Sequence, residues 1–255
     1  MILDQFRLDG RIALVTGSSR GLGQAAAVAL AEAGADIVVW DRSEVPETEK
    51  AVTALGRRFY AVQHDLQTVT VEDIRQEVAH IESEFGYINI LVNNAGIIRR
   101  TEVLDFSEED WDAVLQVDLK AVFFLSQAVA KSMVGRNDNG KIINIASMLS
   151  FQGGIRVPAY TAAKSGLAGI TRSLANELAT HNINVNAIAP GYMATDNTAA
   201  LRADQVRSES ILKRIPAGRW GTPDDLKGAV VFLASEAARY MHGAIVPVDG
   251  GWLAN

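Results

Sequence analysis

Short runs of β-branched and other apolar residues punctuate the chain at positions 12–16, 37–41, 59–64, 88–93, 141–146 and 184–189. Runs this short that stay apolar predict strands buried on both faces. Between them lie longer stretches with apolar residues at helical spacing, at 23–33, 71–85, 111–133 and 160–181. Strand and helix therefore alternate. A repeated β-α pattern buries its strands as a parallel sheet covered on both faces, with right-handed crossovers. The expected fold is α/β, a Rossmann-type doubly wound sheet. One interval departs from the alternation: 195–215 follows a Pro-Gly turn with polar and helical residues, and an insertion there is placed to form a substrate lid.

At 255 residues the chain can form one large domain or two smaller ones. No Pro/Gly/Ser-rich linker interrupts the pattern, so a single domain over 1–255 is expected. A net charge of −6 gives no electrostatic attraction toward nucleic acid or an anionic membrane, which leaves a small molecule as the expected partner. The absence of cysteine removes disulfides, thiolate metal sites and a cysteine nucleophile, and agrees with a reducing compartment. The start MILDQFRLDGR lacks the basic and apolar regions of an export signal, and no uninterrupted apolar stretch of about 18 residues occurs. A cytoplasmic protein without a membrane span is expected.

Directly after the first strand comes Thr16-Gly17-Ser18-Ser19-Arg20-Gly21-Leu22-Gly23, opening an Ala-rich helix. Glycines at this point permit a tight turn and close approach of the backbone to a pyrophosphate, and the helix N-terminus adds free N–H groups and a favourable dipole. The spacing Gly-x3-Gly-x-Gly departs from Gly-x-Gly-x-x-Gly, so a plain Gly-rich turn stays open on the loop alone. The second strand ends in Asp41, about 20 residues further on, where a carboxylate can accept both hydroxyls of an adenosine ribose. The same charge repels a 2′-phosphate, so NAD is expected over NADP, with Arg20 and Arg42 close enough in sequence to compensate in part. Capping of the following segment is the alternative role for Asp41.

Hydride exchange between nicotinamide and an alcohol needs a group that takes or gives the hydroxyl proton. Tyr160 and Lys164 stand i, i+4 on one helical face just after Pro158. A free phenol has a pKa of about 10, and lowering it by two or three units takes roughly 3–4 kcal/mol of phenolate stabilisation. A neighbouring ammonium and a nicotinamide cation are suited to supply it. Lys164 can also hold ribose hydroxyls through its donors. Ser147 follows the strand at 141–146, beyond the carboxyl end of a central strand, where ligands of open α/β sheets bind. Its hydroxyl can polarise a carbonyl oxygen without covalent attack. None of His64, His80, His181 or His242 falls in a motif with Ser147, so neither a hydrolase triad nor a metal site is expected.

With these motifs in this order, the chain resembles the short-chain dehydrogenase/reductase family over 11–252. The resemblance implies a sheet of about seven strands. It assigns TGSSRGLG to the cofactor loop, with Gly17, Ser19, Arg20, Gly21, Leu22 and Gly23. It assigns Asp65 and Leu66 to an adenine-contacting turn, and Asn93, Ala95 and Gly96 to a segment bordering the cofactor. Pro190, Gly191, Met193 and Thr195 belong to a turn reaching the nicotinamide carboxamide. Ser147, Tyr160 and Lys164 match the catalytic positions, with Tyr160 and Lys164 also touching cofactor. Where the family usually has an Asn that completes a water-linked tetrad with the lysine, this chain has Asp118, which keeps the backbone carbonyl but adds a negative charge near Lys164.

Three stretches flanking the expected cleft, at 97–100, 144–155 and 191–202, resemble family members that act on deoxy sugar acids. A sugar acid needs a cation for its carboxylate and polar groups for its hydroxyls. Arg99, Arg100, Arg156, Arg202 and Gln152 are candidates beside Ser147 and Tyr160, and for each arginine a solvated surface position is an equal alternative. A 3-oxoacyl or other ketone reductase, with a more apolar channel, remains open, as does a catalytically silent dinucleotide-binding scaffold. The resemblance implies a homotetramer or homodimer paired through the apolar faces at 111–133 and 160–181, with the C-terminal 248–253 at another contact; an ordinary intramolecular core is an equal alternative.

Overall fold

A computed structural model describes residues 1–136 and 139–255. Seven parallel strands form one sheet in the order β3-β2-β1-β4-β5-β6-β7. They are β1 Ile12–Thr16, β2 Asp36–Asp41, β3 Phe59–Gln63, β4 Ile90–Asn93, β5 Gly140–Ile145, β6 Ile183–Pro190 and β7 Ile245–Val248. The helices are α1 Gly21–Glu32, α2 Pro46–Ala54, α3 Val71–Glu84, α4 Glu108–Leu115, α5 Ala121–Arg136, α6 Pro158–Leu178, α7 Ala199–Ala203, α8 Gln205–Leu212 and α9 Asp224–Ala234. Six strands thus fall on the apolar runs, with ends shifted by one or two residues. The chain is a single-domain doubly wound α/β fold.

Successive side chains of each strand enter different cores, because strand side chains alternate across the sheet. Ala13 and Val15 pack with Leu30 of α1 and Val230 and Leu233 of α9. Leu14, Trp40 and Leu91 pack on the other face with Ile74 and Val78 of α3 and Leu125 and Val129 of α5. Burial on both faces explains why these strands read as continuous apolar runs.

Local chemistry fixes several helix starts. The Thr70 side chain and the Asp73 carboxylate form a reciprocal capping box on α3. Ser107 accepts the Asp110 N–H at the start of α4. Pro158 occupies the first turn of α6, where its missing N–H costs nothing.

The helix expected over 111–133 is interrupted. α4 and α5 are joined by a π-helical turn, Gln116–Lys120, which buries Val117 and Asp118. The extra residue of a π turn rotates side chains out of α-helical phase. The stretch Glu108–Arg136 is long and apolar enough to cross a membrane, with half of its apolar window buried in this fold. Val117, Ala121, Leu125, Val129 and Met133 of that stretch lie in the core beneath the sheet.

Strand order reverses between β1 and β4: β2 and β3 lie beyond β1, while β5 to β7 run the other way. A crevice opens beyond the carboxyl ends of strands at such a switch point. Thr16, Asp41, Asn93, Ile145 and Pro190, each the last residue of its strand, all face that edge.

Candidate active site

The turn between β1 and α1 sits at the switch point. Gly17 and Gly21 have φ of 66° and 61°, in the left-handed region glycine adopts without penalty. A Cβ on Gly23 would lie 2.1 Å from the Gly17 carbonyl oxygen, so this position admits no side chain. Among the described residues no side chain caps α1: Arg20 stands at its N-cap without such a bond. The first-turn N–H groups of Gly21, Leu22 and Gly23 thus belong to a helix end open to an anion, which fits a pyrophosphate. Asn94 donates to the Thr16 and Gly17 carbonyls at 2.9 Å each, and the Ala95 N–H donates to the Thr16 hydroxyl at 2.9 Å, so the 93–96 segment is stitched to the glycine turn. Asn93 faces inward, donating to Ser126 and to Asn144 at 2.9 Å each. Gly96 is exposed beside the buried Asp118, whose Oδ2 would lie 3.0 Å from a Cβ at that glycine.

Asp41 is buried, and its carboxylate accepts the Ser19 N–H at 2.8 Å and the Ser43 N–H at 3.0 Å. It therefore caps the following segment, and each oxygen keeps a lone pair for another donor. Arg42 is exposed next to it. Asp65 folds the turn after β3, accepting the Gln67 N–H at 2.9 Å, and buries Leu66 behind it. Arg20 leaves the glycine turn to pair with Asp196 at 3.0 Å, so the first residues of the 195–215 segment meet the cofactor loop. That segment folds into a short 3-10 turn, α7 and α8, anchored by Ile211 and Ile215 against Met148 and Trp252.

After β6 the chain turns at Gly191, where a Cβ would lie 2.5 Å from the Asp249 Cα. Pro190 closes the strand, Met193 is buried, and Thr195 sits opposite the glycine turn, with its methyl 3.7 Å from the Cβ position of Gly21.

Ser147, Tyr160 and Lys164 converge beyond the end of β5. Lys164 is buried and donates to the Ile145 carbonyl oxygen at 2.9 Å, with its ammonium 5.4 Å from the Tyr160 ring centre. Asp118, fully buried in the π turn, accepts the Ile97 N–H at 2.8 Å through Oδ1 and places Oδ2 3.4 Å from the Lys164 ammonium. At the tetrad position the side chain, through both carboxylate oxygens, faces Ile97 and Lys164. Burial pushes the Tyr160 phenol above its ordinary pKa; Lys164 opposes this, Asp118 adds to it, and a hydrogen bond with Ser147 pulls the other way. The Lys164 ammonium pulls the phenol down as expected, but burial outweighs it. Burial also works against the Lys164 ammonium, but Asp118 and Tyr160 outweigh it and hold its pKa above the usual lysine range.

The candidate cations divide. Arg99 pairs with Asp110 at 3.0 Å and Arg156 with Glu102 at 3.1 Å. Arg202 donates to the Thr195 carbonyl at 3.1 Å, and Gln152 is half-buried in the loop after β5. Arg100 donates to the Asn197 carbonyl at 3.0 Å. Among the described residues no carboxylate pairs with Arg100, and it lies within electrostatic reach of Tyr160 and Tyr192.

Residues 17–253 match a family model described as enoyl-(acyl carrier protein) reductase. The chain is 59% identical to 2-dehydro-3-deoxy-D-gluconate 5-dehydrogenase of Escherichia coli strain K12 over 254 residues, covering 100% of both. The chain belongs to the short-chain dehydrogenase/reductase family. A second relative, 5-keto-D-gluconate 5-reductase of the same organism, is 43% identical over 251 residues and 98% of each chain. The crystal structure of a gluconate 5-dehydrogenase from Burkholderia cenocepacia J2315, in complex with NADP and tartrate, superimposes with a TM-score of 0.95 at 40% identity, covering 100% of both chains.

As a short-chain dehydrogenase/reductase, the protein is an oxidoreductase acting on CH–OH groups with a dinucleotide cofactor. Two features of its site lay outside the sequence reading. One is the stitch from Thr16 to Asn94, for which the Asn-Asn pair after an apolar strand was the available signal. The other is the division of the adjacent arginines, which depends on Asp110 being folded against Arg99 and has no local signature.

Proposed function

We propose that the protein interconverts a ketone and a secondary alcohol of a deoxy sugar acid, with NAD(H) as the preferred cofactor and Tyr160 as the acid/base. One observation carries this reading: a phenol flanked by Ser147 and Lys164, with the Arg100 guanidinium in reach, at the strand edge beside the glycine turn. A bound reduced nicotinamide supplies the hydride. In the reduction direction the Ser147 hydroxyl holds the carbonyl oxygen, Tyr160 gives it a proton, and Lys164 keeps phenol and ribose in register. Arg100 is the cation for the substrate carboxylate, because its guanidinium pairs with no carboxylate among the described residues.

The names of the relatives support a sugar-acid substrate, since they act on 2-dehydro-3-deoxy-D-gluconate and 5-keto-D-gluconate. The likeness extends to one Agrobacterium tumefaciens protein whose crystal structure is described as that of a 2-deoxy-D-gluconate 3-dehydrogenase by assignment. The NAD preference rests on the Asp41 charge at the end of β2 and on the engagement of Arg20 by Asp196. NADP use is the second reading, favoured by the NADP bound in three of the similar crystal structures, from Agrobacterium tumefaciens, Beutenbergia cavernae and Burkholderia cenocepacia, and by the closeness of Arg20 and Arg42 in sequence. The 195–215 segment, touching the glycine turn through Arg20 and Asp196, is proposed as the substrate lid. Assembly into a homotetramer or homodimer is proposed as well, supported by Trp111 on α4, which this fold leaves 38% exposed. Light scattering of the purified protein tests it.

The deciding experiment is a substrate panel of keto-deoxy sugar acids, polyols and 3-oxoacyl esters with each reduced nicotinamide, followed by absorbance. Turnover confined to sugar acids is expected; turnover confined to 3-oxoacyl esters overturns the substrate, and binding without turnover overturns the reaction.

A further inference from the structure

The site carries a second buried charge that the reaction as derived does not require. The Asp118 carboxylate lies at zero exposure in the π turn between α4 and α5. Its Oδ1 accepts the Ile97 N–H at 2.8 Å, while Oδ2 has no hydrogen-bond partner among the described residues and faces the Lys164 ammonium at 3.4 Å. Burial pushes the Asp118 carboxyl above its ordinary pKa, while the Lys164 ammonium and the Ile97 N–H pull it back, so the ionised form depends on the positive charge that Oδ2 faces. A buried charge is tolerated only when paired in this way.

We propose that Asp118 is a positioning residue that keeps Lys164 as the ammonium and, by setting a negative charge near Tyr160, keeps the phenol in its proton-carrying form, so that the site favours carbonyl reduction over alcohol oxidation near neutral pH. The charge count gives the reason. With a neutral amide at this position, the Lys164 ammonium and a Tyr160 phenolate sum to zero. With Asp118 ionised, the same phenolate leaves the buried site one unit negative, and the low-dielectric interior penalises that.

The groups facing the phenol are few and come from each element around it. Lys164 is on its own helix, α6; Asp118 comes from the π turn, Ser147 from the end of β5, and Arg100 from the loop after β4. Arg100 is in turn faced by Arg156 and Tyr192. Lys164 and Arg100 favour the phenolate, Asp118 opposes it, and burial opposes it most strongly. In the reduction direction the balance is simple. Hydride adds to the carbonyl carbon, the Tyr160 proton adds to the carbonyl oxygen, and the resulting phenolate is reprotonated from water. Oxidation needs the phenolate at the outset, which is the form Asp118 disfavours.

This inference rests on Tyr160 being the acid/base, and the tests separate the two. The first test is the pH profile of kcat in both directions for wild type and Asp118→Asn, with whichever ketone and alcohol pair the wild type turns over. The rising limb for oxidation is expected to move down by about one pH unit in Asp118→Asn, on the Coulomb interaction of nearby charges at an intermediate dielectric. The ratio of oxidation to reduction at pH 7 should rise by about tenfold, the equivalent of that shift. An unmoved limb, or one that moves up, overturns the proposal. The second test needs neither turnover nor cofactor. The phenol is titrated by ultraviolet difference absorbance, each protein being compared with its Tyr160→Phe counterpart. The wild-type phenol should keep its proton past the free value of about 10, and Asp118→Asn should release it earlier. If the wild type titrates below that value the proposal fails even when the variant does not fold. If Tyr160→Phe retains turnover, the acid/base reading fails instead, and the titration still reports on Asp118.

Discussion

The Asp41 carboxylate accepts the Ser19 N–H at 2.8 Å, which ties the end of β2 to the turn that opens α1. One side chain thereby shapes the glycine turn and, in the proposed reading, sets a negative charge where NAD and NADP differ. Replacing it separates the two roles. Asp41→Asn keeps an oxygen for the Ser19 N–H and removes the charge, so the kcat/KM ratio of NADP(H) to NAD(H) should rise by about tenfold or more, each tenfold corresponding to about 1.4 kcal/mol. Steady-state kinetics with both cofactors check this. A wild type that already prefers NADPH contradicts the cofactor preference outright.

Arg100 and Arg99 are neighbours in sequence with opposite surroundings, one without a carboxylate partner among the described residues and the other held by Asp110 at 3.0 Å. Arg100→Ala should raise KM for a sugar acid by about tenfold or more, in the range of a lost charge-assisted contact. It should leave KM for an uncharged ketone nearly unchanged. Arg99→Ala should change neither by more than about twofold, since an exposed ion pair contributes little. Equal losses for both variants, or equal losses on charged and uncharged substrates, would show that Arg100 does not read the carboxylate.

Much of this was legible before the structure because the strands are buried on both faces and the helices between them are amphipathic, so the period of the apolar residues changes at each boundary. β7 escaped the same reading: Ile245–Val248 is a half-buried edge strand containing Pro247, and it leaves no long apolar run. The π turn escaped because a single inserted residue scarcely disturbs helical spacing, yet it determines where the Asp118 side chain points. Asp41 was ambiguous between a ribose ligand and a cap. The structure shows it capping, with lone pairs to spare, which single-residue reasoning had no means to decide.

The close approach inside the glycine turn also has a measurable consequence. A Cβ at Gly23 would stand 2.1 Å from the Gly17 carbonyl oxygen and 2.4 Å from Asn94 Nδ2. Gly23→Ala should therefore displace the turn, abolishing detectable NADH binding by fluorescence and lowering Tm by several degrees, as expected for an overpacked site costing about 1–3 kcal/mol. Normal NADH affinity in that variant would place the pyrophosphate elsewhere.

The acid/base assignment makes the largest demand. Tyr160→Phe retains the ring that packs against the buried cluster of Val114, Ala159 and Ala163 but has no proton to give. Turnover should fall by about 10²–10⁴-fold, the range for loss of a positioned proton donor, while NADH affinity stays within a few-fold. Loss of both together would point to a collapsed site and not to missing chemistry.

The most direct test follows the hydride itself. Reduced NAD carrying deuterium at its transferable position is incubated with the protein and a keto-deoxy sugar acid, and the product is examined by mass spectrometry and NMR. Deuterium should appear on the carbinol carbon of the product with wild type and be almost undetectable with Tyr160→Phe. Cofactor that binds but never surrenders its label, or label transferred equally by the variant, would contradict a phenol working beside a bound nicotinamide.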